Sequence, residues 1–421
     1  MSAKTFYRAL GLKGYDVVDC YETADEISVI VELPREMWRC SECHSARAHL
    51  HEWVFRRWRN VPVGLKPTWV GMSVPRVACQ DCGARRRIRV KFAQGLTQHS
   101  RAFEKYAASL LRYMTPHDLA RREGIAWQTA AAIDKRRLEA VPKVSLRHVK
   151  RIAIDEIYAG KLHKFMTLVL DLDSGAVVFV GPGRGAQALD SFFKKLRKSK
   201  GELQAVSIDM AGGYIKAVKE KLPDVTLVFD RFHIAKLMNE KLTKLRRDEY
   251  NLATDQHAKQ VLKGTRWLLL MNADPPDSKG RKVERKGRGQ IGVEQRRLAD
   301  QARLRAALEL NKSLATAYIM KEELRQLWNM NSKAEAEEYL QSWCRRADTT
   351  GIAVLKTMAK TLRTHAREIL NWYDEPISSG RMEGTNNKIK LLQRRAYGYR
   401  NQDHFILRIE TLHTTRINLV G

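Results

Sequence analysis

Four carboxylates and four cysteines carry the chemistry that this chain's residue types and spacing suggest. Asp155, Asp209 and Asp230 each close a short apolar run: Arg151-Ile152-Ala153-Ile154, Leu203 to Ile208, and Val225 to Phe229. One acid at the end of one strand is commonplace. Two converging from neighbouring strands repel each other unless a cation lies between them. Mg²⁺ suits such a place, because it takes a few carboxylates together with waters and phosphate oxygens. Two such ions about 3.5–4 Å apart activate a nucleophile and stabilise a leaving oxygen in phosphoryl transfer. A third acid normally completes the site, and Glu383 is the candidate. Taken alone, Glu383 reads more readily as a solvated helix acid.

Cys40-Ser41-Glu42-Cys43 and Cys79-Gln80-Asp81-Cys82 form two Cys-x-x-Cys pairs, with 35 residues between them. Each pair makes a tight turn that aims two thiolates at one point, and four thiolates suit a tetrahedral structural Zn²⁺. The spacer is long enough to hold strands, expected over Trp53–Trp58 and Thr68–Pro75. His44, His49 and His51 are read as bystanders to a full shell. Cys20 and Cys344 lack a partner pattern and are expected in cores.

These groups need elements to position them. Phe103, Tyr106, Ala107, Leu110, Leu111 and Met114 recur at helical spacing. Thr115 then caps a helix with Pro116 at its first position, and Gly124 permits a left-handed turn. A second helix is expected from about Trp127 to Leu138. That layout is a helix-turn-helix, whose second helix would turn Trp127, Gln128, Lys135, Arg136 and Arg137 to a major groove. An ordinary helical hairpin has the same pattern. After a linker at Val141–Val144 the order becomes β-β-β-α-β-α-β, a mixed sheet with helices on its faces. Residues 236–370 are charged and helix-rich, too long for a loop, and read as an all-helical insertion. Within them Pro275–Arg288 reads as a mobile basic loop. Beyond the insertion, a helix capped near Ser379 carries Glu383 with Asn386, Asn387, Lys388 and Lys390, amides and lysines that are expected to contact a DNA phosphate backbone. Arg394, Arg395 and Arg400 then interleave with Tyr397 and Tyr399, a pattern that suits backbone contact plus stacking.

Length and charge bound the rest. The 421 residues contain 76 Lys+Arg against 47 Asp+Glu, a formal net charge of +29. Such an excess points to a polyanionic partner, with nucleic acid first. Hydrophobic residues at 44% exclude wholesale disorder. No apolar run is long enough to span a bilayer. Met1 to Leu12 shows no secretory pattern, so a cytoplasmic, chromosome-associated protein with reduced thiols is expected.

The whole order of motifs resembles bacterial insertion-sequence transposases of the ISL-three type. The strings that carry the likeness are Asp155-Glu156, Ile208-Asp209-Met210, Asp230-Arg231-Phe232-His233, Gly380-Arg381-Met382-Glu383-Gly384-Thr385-Asn386-Asn387-Lys388-Ile389-Lys390 and Arg394-Arg395-Ala396-Tyr397-Gly398-Tyr399-Arg400. The resemblance implies a DDE transposase with an RNase H-like catalytic core. It implies Asp155, Asp209 and Glu383 as catalytic acids holding two Mg²⁺, with Mn²⁺ as a substitute. Asp230 is the alternative second acid, and His233 completes an Asp-x-x-His motif beside it. Glu156 would point to the opposite face. The implied activity is binding of terminal inverted repeats, cleavage and strand transfer into double-stranded target DNA by a dimer or larger assembly. The implied division is a zinc-binding module (1–95), a helix-turn-helix (96–140), a core (148–235 and 371–421) and the helical insertion (236–370). A transposase-derived DNA-binding regulator without catalysis is the alternative.

Overall fold

A computed structural model of the chain describes residues 7–95, 97–160, 165–210, 212–271 and 289–414. The basic stretch Pro275–Arg288 lies outside the described residues.

The first sheet has five strands: β1 (Asp16–Glu22), β2 (Ile27–Glu32), β3 (Ala48–Val63), β4 (Lys66–Cys79) and β5 (Arg85–Arg87). Their order is β1-β2-β4-β3, with β5 added to β4. The expected strands exist but run further at both ends, because β3 and β4 are one long antiparallel hairpin turning at Gly64, whose φ is +61°. Trp58, Val70, Met72 and Val74 fill the core beneath it. The pair β1–β2 was not read from the sequence. Cys20 lies on β1, where every residue is exposed, so it is not a core residue. An edge strand with nothing packed on it has no interior to offer. Cys344 is buried, as expected.

Three helices follow: α1 (Arg101–Leu110), α2 (Pro116–Glu123) and α3 (Trp127–Glu139). Thr115 and Asp118 form a reciprocal capping box at the start of α2, with Pro116 in its first turn. Gly124 closes α2 at φ +62°, the left-handed conformation that costs glycine little. Phe103, Ala107, Leu111, Leu119, Ala130 and Ile133 form a separate small core among the three.

The second sheet is mixed. Its strands are β6 (Arg151–Tyr158), β7 (Phe165–Asp171), β8 (Val177–Pro182), β9 (Ala205–Ile208) and β10 (Thr226–Phe229), in the order β10-β9-β6-β7-β8. β6, β9 and β10 are parallel; β7 and β8 are antiparallel. Helices α4 (Asp190–Ser199) and α5 (Gly212–Lys221) make the crossovers. Alternation on β6 splits the packing. Ile152 and Ile154 face Phe192 and Phe193 of α4. Ala153 and Ile157 face Met382, Ile389 and Phe405 from the far end of the chain.

β10 runs straight into α6 (Arg231–Leu252). The described part of the segment to residue 370 is helical: α7 (Gln256–Leu262), α8 (Arg266–Leu270), α9 (Gly289–Leu310), α10 (Lys312–Leu324), α11 (Lys333–Thr349), α12 (Ala353–Thr364) and α13 (Ala366–Leu370). Its apolar faces close on one another around Trp343, Leu355, Met358 and Leu362, and the same core continues to the sheet. The chain then returns to β6 through α14 (Gly380–Arg395) and ends its described part with α15 (Gln402–Glu410).

Candidate active site and zinc centre

The register of the parallel strands determines where the carboxylates fall. Ala153 of β6 pairs with Ser207 of β9. Two residues further along each chain stand Asp155 and Asp209, so both point to the same face from neighbouring strands about 4.8 Å apart. Phe229 of β10 pairs with Ile208, which puts Asp230 beside Asp209. Asp155, Asp209, Asp230, His233 and Ser379 line one small cavity at the strand ends. Binding sites of open α/β sheets occupy this position.

Asp155 receives the Asn386 amide at 2.7 Å and the backbone N–H of Glu156 at 2.8 Å. Burial nevertheless raises its carboxyl above the ordinary aspartate value, with a smaller push from Asp209 and against the pull of His233. Burial and Asp209 push Glu156 up as well. Asp230 behaves differently. It caps α6 through the Phe232 N–H at 3.2 Å, accepts from His233 Nδ1 at 2.9 Å, and accepts from the Ser379 hydroxyl. Burial raises it, but the bonds from His233 and Ser379 hold it below its ordinary value. The Asp230 bond raises His233, with further help from Asp155 and Asp209. Ser379 was expected only as a cap; it makes no cap bond and instead ties α14 to Asp230.

Asn386 is buried on the Asp155 side of α14, whereas Asn387, Lys388, Lys390, Arg394 and Arg395 are exposed. Glu383 sits in the exposed first turn of α14, where a negative charge is favoured. Ser379 and Met382 line the cavity and Glu383 does not. Asp155, Asp209 and Glu383 do not form a group whose ligand oxygens all lie within 4.8 Å. The donor set at Asp155 and Asp209 nevertheless fits a hard divalent cation. Around the two acids, the buried Asn386 Oδ1 and Ser207 Oγ lack hydrogen-bond partners among the described residues. Neutral and anionic oxygens are the ligands that Mg²⁺ takes.

The cysteines meet at the base of the β3–β4 hairpin. Ala48 pairs with Cys79, which brings the turn after Cys40 beside the turn after Cys79. The turns match. The Cys40 N–H donates to Ser45 O at 2.9 Å, and the Cys79 N–H to Ala84 O at 3.0 Å. His44 at φ +61° and Gly83 at φ +68° hold equivalent left-handed places. His44 is thereby a turn residue and, like His49 and His51, is not in the cluster. The four Sγ atoms lie within 4.8 Å of one another, with Cys40–Cys82 at 3.7 Å and Cys43–Cys79 at 3.5 Å. A tetrahedral zinc site with bonds of about 2.3 Å separates its sulfurs by roughly 3.8 Å. The cluster therefore fits Zn²⁺. The backbone bonds of Cys43 and Glu42 lower Cys40 to about 7. Cys43 goes up to about 12 although the Ser45 backbone bond pulls it down, because Cys82 and Cys79 crowd it.

On α3, Trp127, Gln128 and Lys135 are exposed. Arg136 is occupied by Glu104 at 2.6 Å and Arg137 by Asp134 at 2.8 Å. Asp134, missed in the sequence, is wholly buried. It binds His404 Nε2 at 2.6 Å and Arg408 at 2.7 Å from α15, which seats α3 on the core. The signal was present: an acid between Ile133 and Leu138 on a packed face, and basic residues four apart at His404 and Arg408.

Comparison with known proteins supplies the family. A family model described as a transposase, of the DDE ISL-three kind, matches residues 152–409. A second, described as the zinc-finger of transposase IS204/IS1001/IS1096/IS1165, matches residues 36–82. The chain is 30% identical over 390 residues to the transposase for insertion sequence element IS1001 of Bordetella parapertussis, covering 91% of this chain and 90% of that one. It is 29% identical over 436 residues to the transposase for IS1557 of Mycobacterium tuberculosis, covering 100% and 98%. The solved Drosophila P element transposase strand transfer complex matches at 12% identity and a TM-score of 0.36, covering 78% of this chain and 94% of that chain. The sheet with its strand-end acids falls inside the longer matched segment and the four cysteines inside the shorter, and on these matches the chain belongs to the ISL-three-type DDE transposase family.

Proposed function

We propose that this chain binds the terminal inverted repeats of its own insertion sequence and cuts and joins DNA there. The observation that carries the reading is the pair Asp155 and Asp209. The two acids stand side by side on adjacent strand ends, with a neutral amide and the His233–Asp230 pair beside them. Asp155, Asp209 and Glu383 would hold two Mg²⁺, and Glu383, exposed outside the cavity, would have to turn in from the first turn of α14 to complete the set. The bound ions supply the charge that makes a water or a 3′-hydroxyl nucleophilic and that neutralises the leaving oxygen. Asn386 orients the Asp155 carboxylate. Asp230 fixes the His233 ring, which donates toward a phosphate oxygen. Asn387, Lys388, Lys390, Arg394 and Arg395 follow the backbone along the exposed face of α14.

The division into a zinc module, a helix-turn-helix and a core split by a helical insertion gives each part a task. Trp127, Gln128 and Lys135 reach base edges from α3, while Arg136 and Arg137 brace that helix against its neighbours. The four-cysteine module, folded by zinc, presents its basic strands to flanking phosphates. Phosphate contacts supply affinity and salt dependence; base contacts specify the end. Two ends must be paired, so the working form is a dimer or larger assembly on chromosomal DNA in the cytoplasm. Among the described residues no helix is long and apolar enough to cross a membrane.

The test is cleavage of a duplex carrying the element's own end, in Mg²⁺ or Mn²⁺, with Asp155→Asn beside the wild type. The expected result is metal-dependent 3′-hydroxyl ends that fall at least a thousandfold in the variant, with end binding unchanged. Binding without cleavage in either metal would replace this reading with that of a DNA-binding regulator.

A further inference from the structure

A second cavity lies on the same helix as Glu383, beyond its opposite end. Tyr158 of β6, Met166 of β7, Gln393 and Arg394 of α14, and Tyr399 and Phe405 line it. Tyr399 stacks on Phe405 at 4.6 Å with rings 23° apart, making a flat aromatic wall. Gln393 donates to the Tyr158 carbonyl at 3.0 Å and holds the two sides together. The lining is mainly apolar and includes no acid, and the rim carries the exposed Arg394 and Arg400.

Tyr397 is the unusual residue. It occupies the position just past the end of α14 where glycine is usual, at φ +51°, and the following Gly398 N–H returns to Gln393 O at 2.9 Å. A bulky side chain rarely adopts that conformation. The ring obtains no packing in exchange, because it is 100% exposed at the mouth of the cavity. Backbone strain without a folding return marks places kept for a ligand. An aromatic wall, a free aromatic lid and flanking guanidinium groups match a nucleobase with its phosphates.

We infer that this cavity takes a single base unstacked from the DNA strand near the cleavage site, sandwiched between Tyr397 and the Tyr399–Phe405 wall, with Arg394 and Arg400 on its phosphates. The inference rests on the DNA-end reading above. The separation is suitable. Asn386, which holds Asp155, precedes Gln393 by two turns of α14, roughly 10 Å. Asp155 precedes Tyr158 by three strand residues, also roughly 10 Å. That span is about three base steps of B-DNA. Drawing a base out there bends the strand and opens the adjacent phosphodiester to the acids. Unstacking has a cost that the aromatic contacts repay.

The experiment uses the full chain and duplexes carrying the element's own end, with 2-aminopurine placed singly at each of the terminal positions. One position should brighten several-fold on binding. Tyr397→Gly relieves the left-handed backbone, so its melting temperature should hold or rise. It should still lose the brightening and bind the duplex about tenfold more weakly, whereas Tyr397→Phe should keep both. A duplex that is bound and cut with no bright position overturns the base site alone. Brightening that survives Tyr397→Gly overturns it too. A duplex that is not bound at all overturns the end-binding reading, and this inference with it.

Discussion

Two acids in this protein, Asp134 fully buried and Asp155 half-buried, have opposite surroundings. Asp134 is bound by three basic side chains, Arg137, His404 and Arg408, and despite its burial it is held below the ordinary aspartate value. Asp155 has the neutral Asn386 amide, a second acid nearby and His233 to offset that acid, and burial still raises it. Two unit charges about 4 Å apart repel by about 4 kcal/mol at an effective dielectric of 20. Where the acid's work is to join two parts of the fold, the chain supplies the compensating charge itself. Where it faces Asp209, the chain leaves a deficit that a divalent ion would fill. The thiols are a third case. Four thiols stand within 4.8 Å of one another, held by matching backbone turns and by the Arg47–Asp81 ion pair that joins the two turns.

The largest effect should therefore come from the thiols. Structural zinc in small modules is worth about 10 kcal/mol of folding free energy. Cys40→Ser should take the zinc content of the purified protein from one ion per chain to near none and open residues 7–95 to protease. Because Arg59 of β3 pairs with Glu123 of α2, whose other oxygen accepts from Tyr106, DNA binding should weaken with it. Full zinc retention in that variant would show that the four sulfurs do not share an ion.

Asp134→Asn comes next. Removing one partner of a buried ion network strands the others, at about 3–5 kcal/mol. Chemical unfolding should show that loss, and duplex binding should fall because α3 loses its seat on α15. The pH dependence has a definite sign. A carboxyl held below its ordinary 3.8 contributes fully above that pH, and its contribution fades as pH falls through the lowered value. The variant should lack this acid limb. If stability changes by less than about 1 kcal/mol, the two arginines and His404 do not depend on Asp134.

Much of this contrast was legible beforehand, and the exceptions have physical reasons. The cysteine pairs, the capping box at Thr115 and the β-β-β-α-β-α-β order are local patterns, and each appears where spacing put it. The acids at 155, 209 and 230 could be listed, but their meeting depends on the register Ala153–Ser207 and Phe229–Ile208, which no single segment encodes. Asn386 was read as a DNA contact and proves to be buried against Asp155, because the face of α14 is chosen by Met382 and Ile389 packing on β6. Arg136 looked free for the same reason, since Glu104 reaches it from α1 by tertiary packing, whereas Arg137 pairs with Asp134 one turn back on α3, a spacing the sequence does contain. The strands β1 and β2 carry no alternating burial on the β1 side and so gave no signal there.

The smallest expected effect is the most direct test of the deficit at Asp155. Without divalent ions, Asp155→Asn should leave the melting temperature of the core unchanged or slightly higher. It removes a charge that burial disfavours and keeps an oxygen for the Asn386 amide. Adding Mg²⁺ should then separate the two proteins. An ion that binds only the folded state at about ten times its dissociation constant stabilises by about 1.4 kcal/mol. In a domain of this size that is about 3–5 °C. The wild type should show the shift and Asp155→Asn should not, with Mn²⁺ reproducing the pattern. Equal shifts in both proteins would place the ions elsewhere on the chain, and the rise in Asp155 would then reflect burial alone. A variant that melts lower without metal would mean that Asp155 is already compensated, as Asp134 is. The distinction between a structural and a metal-binding acid would then have to rest on Asp209.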